Sequence, residues 1–159
     1  MCWKCDHPEA TMADWIAHVW GKIDRRGWAI QYVEDGLRSF AYTIGLHDFG
    51  LPELLITGVA PASAQRLLND MAERTIIDGM PAAGSQVPTE DPPFVEIVEV
   101  DHPEAHMGMA SAIQGSNYTA RQLVWADVHG ALPWDPDFDH GRSLQPVFGV
   151  RALSDRRRT

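Results

Sequence analysis

Cys2 and Cys5 form a Cys-x2-Cys pair, a spacing at which two thiolates reach one metal ion while amides of the intervening turn hydrogen-bond the sulfurs. A tetrahedral ion needs two further ligands. His102 and His106 have the H-x3-H spacing that would set two imidazoles on one side of a helical turn, giving a set of Cys2, Cys5, His102 and His106. His7 is the competing ligand, through a compact Cys-x2-Cys-x-His clip. These ligand types favour Zn2+ over iron. A closed four-ligand site would be structural or regulatory, whereas three ligands and a water would open it to catalysis. The same thiols support a redox reading, one attacking as thiolate and the other resolving the mixed disulfide. That use is less natural here, because thioredoxin-like pairs follow a strand and open a helix, and the first strong helix opens only at Thr11. Both thiols can also simply pack with the N-terminal segment on the core.

A second constellation surrounds Phe40 to Asp48, where a strand leaves through Gly45 into a loop. Tyr42, His47, Asp48 and, at the start of the next apolar run, Glu53 can place phenol, imidazole and carboxylates in one cleft, a setting for acid/base chemistry on a small molecule. A third gathers Gln122, Trp125, Asp127, Trp134 and Asp135, aromatic faces beside amide and carboxylate groups. It suits a ligand groove or a partner surface, although core packing is the commoner use of tryptophan. Phosphate-cradling, zincin and esterase signatures (G-x4-G-K-[ST], G-x-G-x2-G, H-E-x2-H, G-x-S-x-G) do not occur.

The elements that must position these groups follow from patterning. Thr11 caps a helix with Asp14 three residues on, a capping box with Asp in the usual Glu place. Met12, Trp15, Ile16, Val19, Trp20 and Ile23 then form one stripe, and Gly27 ends it. Trp28, Ile30 and Tyr32 alternate along a strand, Asp35-Gly36 marks a turn, and a second strand spans about Phe40 to Leu46. Glu53 to Val59 reads as a central strand. Pro61 opens a second helix with Ala64, Leu67, Leu68, Met71, Ala72 and Ile76 on one face, stopped at Gly79. Met80 to Pro93 lacks periodicity and is expected to be a surface loop able to act as a lid over the Tyr42 cleft. Strands follow at Phe94 to Val100 and Thr119 to Asp127, with a short helix between them at Pro103 to Gln114 and a last possible strand at Pro146 to Val150. Locally connected strand pairs predict a single α+β domain over residues 1–153, with a largely antiparallel sheet, two main helices and one short helix. Residues 154–159 form a basic tail bearing Arg156, Arg157 and Arg158. The pentapeptide at residues 6–10 recurs at 101–105 with unrelated flanks, so it is no solenoid repeat; both copies are expected to cap helices.

Composition narrows the partners. The 13 basic and 22 acidic residues give a formal charge of −9 across 159 residues, which repels a nucleic-acid backbone. No run approaches the roughly 18 apolar residues of a membrane span, and no secretory signal opens the sequence, so a cytoplasmic protein without nucleic-acid or membrane partners is expected.

The segments Met1 to Pro8, Gly27-Trp28-Ala29-Ile30-Gln31, Ala41 to Leu46, Gly50-Leu51-Pro52-Glu53-Leu54 and Gln122-Leu123-Val124-Trp125 together resemble the bacterial domain of unknown function 4262 family, through nearly the whole chain. The resemblance implies that the Cys2/Cys5 pair, the Tyr42 to Glu53 strand-loop and the Trp125 strand are shared features; it implies no activity. The family commonly has His before Pro-Glu-Leu, where this chain has Leu51, so no catalytic histidine is expected at that point.

Overall fold

A computed structural model describes residues 3–141 and 145–152. Cys2 and the basic tail lie outside the described residues. Along the chain come α1 (Trp3–Asp6), α2 (Met12–Arg26), β1 (Ala29–Val33), β2 (Phe40–Ile44), β3 (Glu53–Thr57), α3 (Pro61–Asp78), β4 (Gln86–Pro88), β5 (Phe94–Val100), α4 (Pro103–His106), α5 (Gly108–Gln114), β6 (Ala120–Trp125) and β7 (Gly149–Val150). The strands form one sheet in the order β1-β2-β3-β6-β5-β4, antiparallel except where β3 and β6 run parallel. This is the α+β architecture expected from the sequence. Glu99 pairs with Arg121 of β6 and also with Val150, so β7 lies on the opposite side of β5 from β6 and continues the edge begun by β4.

Alternation along the strands feeds two cores. Ala41, Leu54, Ile56, Val95, Ile97 and Leu123 meet the α3 stripe of Ala64, Leu67, Leu68, Met71 and Ala72 on one face. Tyr42, Ile44, Leu55, Val100 and Ala120 meet Val19 and Ile23 of α2 and Met107 and Ala110 on the other. Consecutive residues such as Leu54 and Leu55 thus serve opposite faces, as a period of two requires. β3, buried at every position, is the interior strand that its unbroken apolar run predicts. The α2 caps also match: Thr11 and Asp14 exchange hydrogen bonds, and the Gly27 amide donates to the Ile23 carbonyl. Trp28 faces α3, where its Nε1 donates to Asn69 Oδ1 at 2.9 Å.

Three expectations need correction. The stretch Met80 to Pro93 is no lid: Gln86–Pro88 pairs with β5 as an edge strand, and the Arg74 and Arg66 side chains donate to the carbonyls of Pro88 and Asp91. β4 stands four strand positions from β2, roughly 19 Å at the usual strand spacing, too far to close over Tyr42. The helix expected over Pro103 to Gln114 breaks at Met107 into α4 and α5. His102 is the N-cap of α4, in left-handed backbone with φ 48, and the proline that follows disfavours right-handed helical backbone at that position. It does not sit one helical turn below His106. The two pentapeptide copies also differ in structure: Asp101-His102 leads into α4, whereas Asp6 ends α1 and Thr11 caps α2. No helix among the described residues is long and apolar enough to cross a membrane.

Candidate functional site

Glu53 opens β3 as a charged residue at the head of a fully buried run, a position that demands partners. The structure supplies five donors. Thr43 Oγ1 donates to Oε1 at 2.9 Å and the Leu46 amide to the same oxygen at 3.1 Å. The amides of Gly45 and His47 donate to Oε2 at 3.1 and 3.2 Å, and Gln114 Nε2 reaches it from α5 at 2.9 Å. Thr43 in turn accepts from the Leu54 amide. The carboxylate thereby fixes the turn that follows β2 and ties α5 to the sheet. Burial pushes the Glu53 carboxyl above its usual range, and the hydrogen bonds from Gln114, His47, Thr43 and Gly45 pull it back.

Gly45 makes this turn possible. Its φ is 120, and a Cβ there would lie 2.7 Å from the Gly27 carbonyl oxygen. Tyr42 is 1% exposed, and its hydroxyl accepts from the Met109 amide at 3.0 Å. Burial pushes its phenol up to about 12, so it stays protonated at physiological pH. Tyr118 contacts Ser111 and the Met107 carbonyl and, like Tyr42, is raised by burial. His47 is half-buried and Asp48 exposed. Tyr42 and Glu53 are therefore held by internal partners on every side, an arrangement that organises the turn and α5. Gln114, which the sequence reading did not select, is the long-range member of this network. The only local signal for such a partner is the carboxylate itself at a buried position.

The Gln122 to Asp135 constellation is also spent internally. Gln122 is fully buried, donating to the Pro146 carbonyl at 2.8 Å and accepting from the Phe148 amide at 2.8 Å. Trp125 Nε1 donates to the Thr57 carbonyl, and its backbone exchanges two hydrogen bonds with the Gln145 side chain. Asp127 accepts from the amides of His129, Ala131 and Asp139, and the bonds from Asp139 and Ala131 hold its carboxyl below the usual range. Asp135 caps the Leu132 amide, while the Arg151 guanidinium lies 4.3 Å from the Trp134 ring centre and pairs twice with the buried Glu96. These residues pin the segment from Gln145 onward across the sheet.

The metal-ligand candidates divide. His102 Nδ1 lies 3.3 Å from Glu104 Oε1 with the His102 side chain 82% exposed. His106 stacks flat on Phe148, ring centres 4.3 Å apart. Among the described residues no three His, Cys, Asp or Glu side chains gather closely enough to hold an ion. Cys5 lies exposed on α1. The chain then turns through His7, which lines an open groove of about 880 Å3 shared with His18 of α2. His18 is half-buried and held below the usual imidazole range, first by burial and then by Lys22, Arg25 and His7.

A family model described as "Domain of unknown function (DUF4262)" matches residues 22–139. The chain belongs to the DUF4262 family. The matched span holds the Glu53 network, the Gln122 strand and Asp127, while Cys2, Cys5, His7 and His18 precede it. No curated protein and no solved structure matches the chain.

Proposed function

We propose that this DUF4262 chain is a metal-binding domain with a structural or regulatory role, taking one zinc ion through Cys2 and Cys5 with His7, as a compact Cys-x2-Cys-x-His clip. The observation that carries this reading is that α1, which bears the exposed Cys5, leads directly into His7, which lines an open groove beside it. Two thiolates and an imidazole suit zinc by softness. The pair His102 and His106 draws no comparable support, because one turns to Glu104 and the other lies against Phe148. The ion would then fasten α1 to the turn that follows it, its binding energy acting as folding energy for that segment.

Elemental analysis of protein purified without an affinity tag, after exchange into buffer that strips weakly held ions, tests the reading. One equivalent of zinc is expected in the parent and in His106→Ala, and none in Cys2→Ser or Cys5→Ser. A metal-free parent that forms an intramolecular Cys2–Cys5 disulfide would overturn it and support thiol–disulfide exchange instead.

A further inference from the structure

We propose a second and separate cation site, a two-imidazole chelate formed by His129 and His140 in the turns that follow β6, which takes a divalent transition ion such as Zn2+ or Ni2+ in preference to Mg2+ or Ca2+. The two exposed rings stand edge to face with centres 5.6 Å apart. An ion bonded at roughly 2.1 Å to one nitrogen of each ring at a tetrahedral angle would hold the centres about 5 Å apart, close to the separation observed.

The pair is built by the fold. One carboxylate, Asp127, accepts from the amides of His129 and Ala131 on Oδ1 at 2.9 Å and from that of Asp139 on Oδ2 at 2.8 Å. Both histidine-bearing turns therefore hang from the same buried anchor. Asp139 and His140 both adopt left-handed backbone, with φ of 45 and 53, which non-glycine residues avoid. Two successive left-handed residues are costly, and such strain gathers at functional sites. No third protein ligand stands ready among the described residues, so water would fill the remaining positions and the ion would exchange. Imidazole ligation selects late transition ions over the oxygen-seeking Mg2+ and Ca2+.

Zn2+ and Ni2+ titrations into the full chain carrying Cys2→Ser and Cys5→Ser keep the N-terminal thiols out of the measurement. Saturable binding of one equivalent with a rise in melting temperature is expected, with no shift from Mg2+ or Ca2+. His129→Ala and His140→Ala should each weaken that binding at least tenfold. His140→Gly relieves the left-handed strain, so it should melt no lower than its parent without metal and yet lose the metal-dependent rise, which separates ligand loss from misfolding. Unchanged affinity in the alanine variants, or absence of saturable binding, would overturn the site. Neither result bears on the N-terminal clip, whose thiols are absent throughout.

Discussion

Replacing Glu53 by Gln keeps the side-chain volume but exchanges one acceptor oxygen for a donor amide, in a pocket where five donors converge. The least costly placement sets the Gln oxygen where Oε2 stood, so that the Gly45 and His47 amides and Gln114 keep their acceptor. The new NH2 group then confronts the Leu46 amide, which is left buried without a partner, while the Thr43 hydroxyl can turn to accept. One orphaned buried donor costs about 1–3 kcal/mol, or roughly 2–12 °C in melting temperature for a domain of this size. Glu53→Ala strands all three amides and opens a cavity, with an expected loss of about 3–5 kcal/mol. Urea unfolding at neutral pH, read as a shift in midpoint at constant slope, measures both.

The same residue fixes a pH dependence. Burial raises the Glu53 carboxyl above its unfolded value, so the native state keeps that proton to higher pH than the unfolded chain does. Its contribution is therefore fully present below the unfolded carboxylate range and declines as pH rises through the raised native value. Glu53→Gln cannot titrate and should lack that slope. Alanine at position 53 costing under about 0.5 kcal/mol, within the range of ordinary surface substitutions, would refute the positioning role assigned to this carboxylate.

Other perturbations reach separate parts of the structure. Gly149→Ala would drive a Cβ into the Glu99 carbonyl oxygen, so β7 should detach; faster hydrogen exchange at the Asp101 amide, which donates to Phe148, reports it. Gly45→Ala combines a φ of 120 with a 2.7 Å approach to the Gly27 carbonyl and should cost about 2 kcal/mol or more by urea unfolding. Arg151→Ala removes two of the three side-chain hydrogen bonds of Glu96, which is 2% exposed, leaving that from Gln86 Nε2; because the guanidinium itself is partly solvated, a loss of roughly 2 kcal/mol is expected, recovered in part by Glu96→Gln in the same chain. Asp127 is held below its usual range, so the stability it contributes is present above the unfolded carboxylate value and is lost as pH falls through the lowered native value. Acid titration of Asp127→Asn should show that part of the slope missing.

The parts of this fold that could be read from sequence are those with local causes. The Thr11/Asp14 box, the Gly27 stop, the α3 stripe and the buried run of β3 each follow from neighbours within a few residues. Glu53 was visible as a carboxylate heading that run. Its partner Gln114 lies 61 positions away, and nothing near Gln114 announces the contact. β4 escaped notice because three residues leave no measurable alternation, and it exists only by pairing with β5. The position of His102 has a different origin: H-x3-H spans one helical turn only where all its residues are helical, and Pro103 disfavours helical backbone in the residue before it. Asp127 and Asp135 looked like ligand-facing carboxylates, yet backbone amides of adjacent turns consume them. The His129 and His140 pairing depends on those same turns and could not have been inferred from spacing alone.

The N-terminal zinc clip is tested most directly by the zinc K-edge absorption spectrum of the tag-free protein loaded with one equivalent. A shell containing two sulfurs at about 2.3 Å and a nitrogen at about 2.0–2.1 Å is the expected result. A shell of nitrogen and oxygen alone would contradict it.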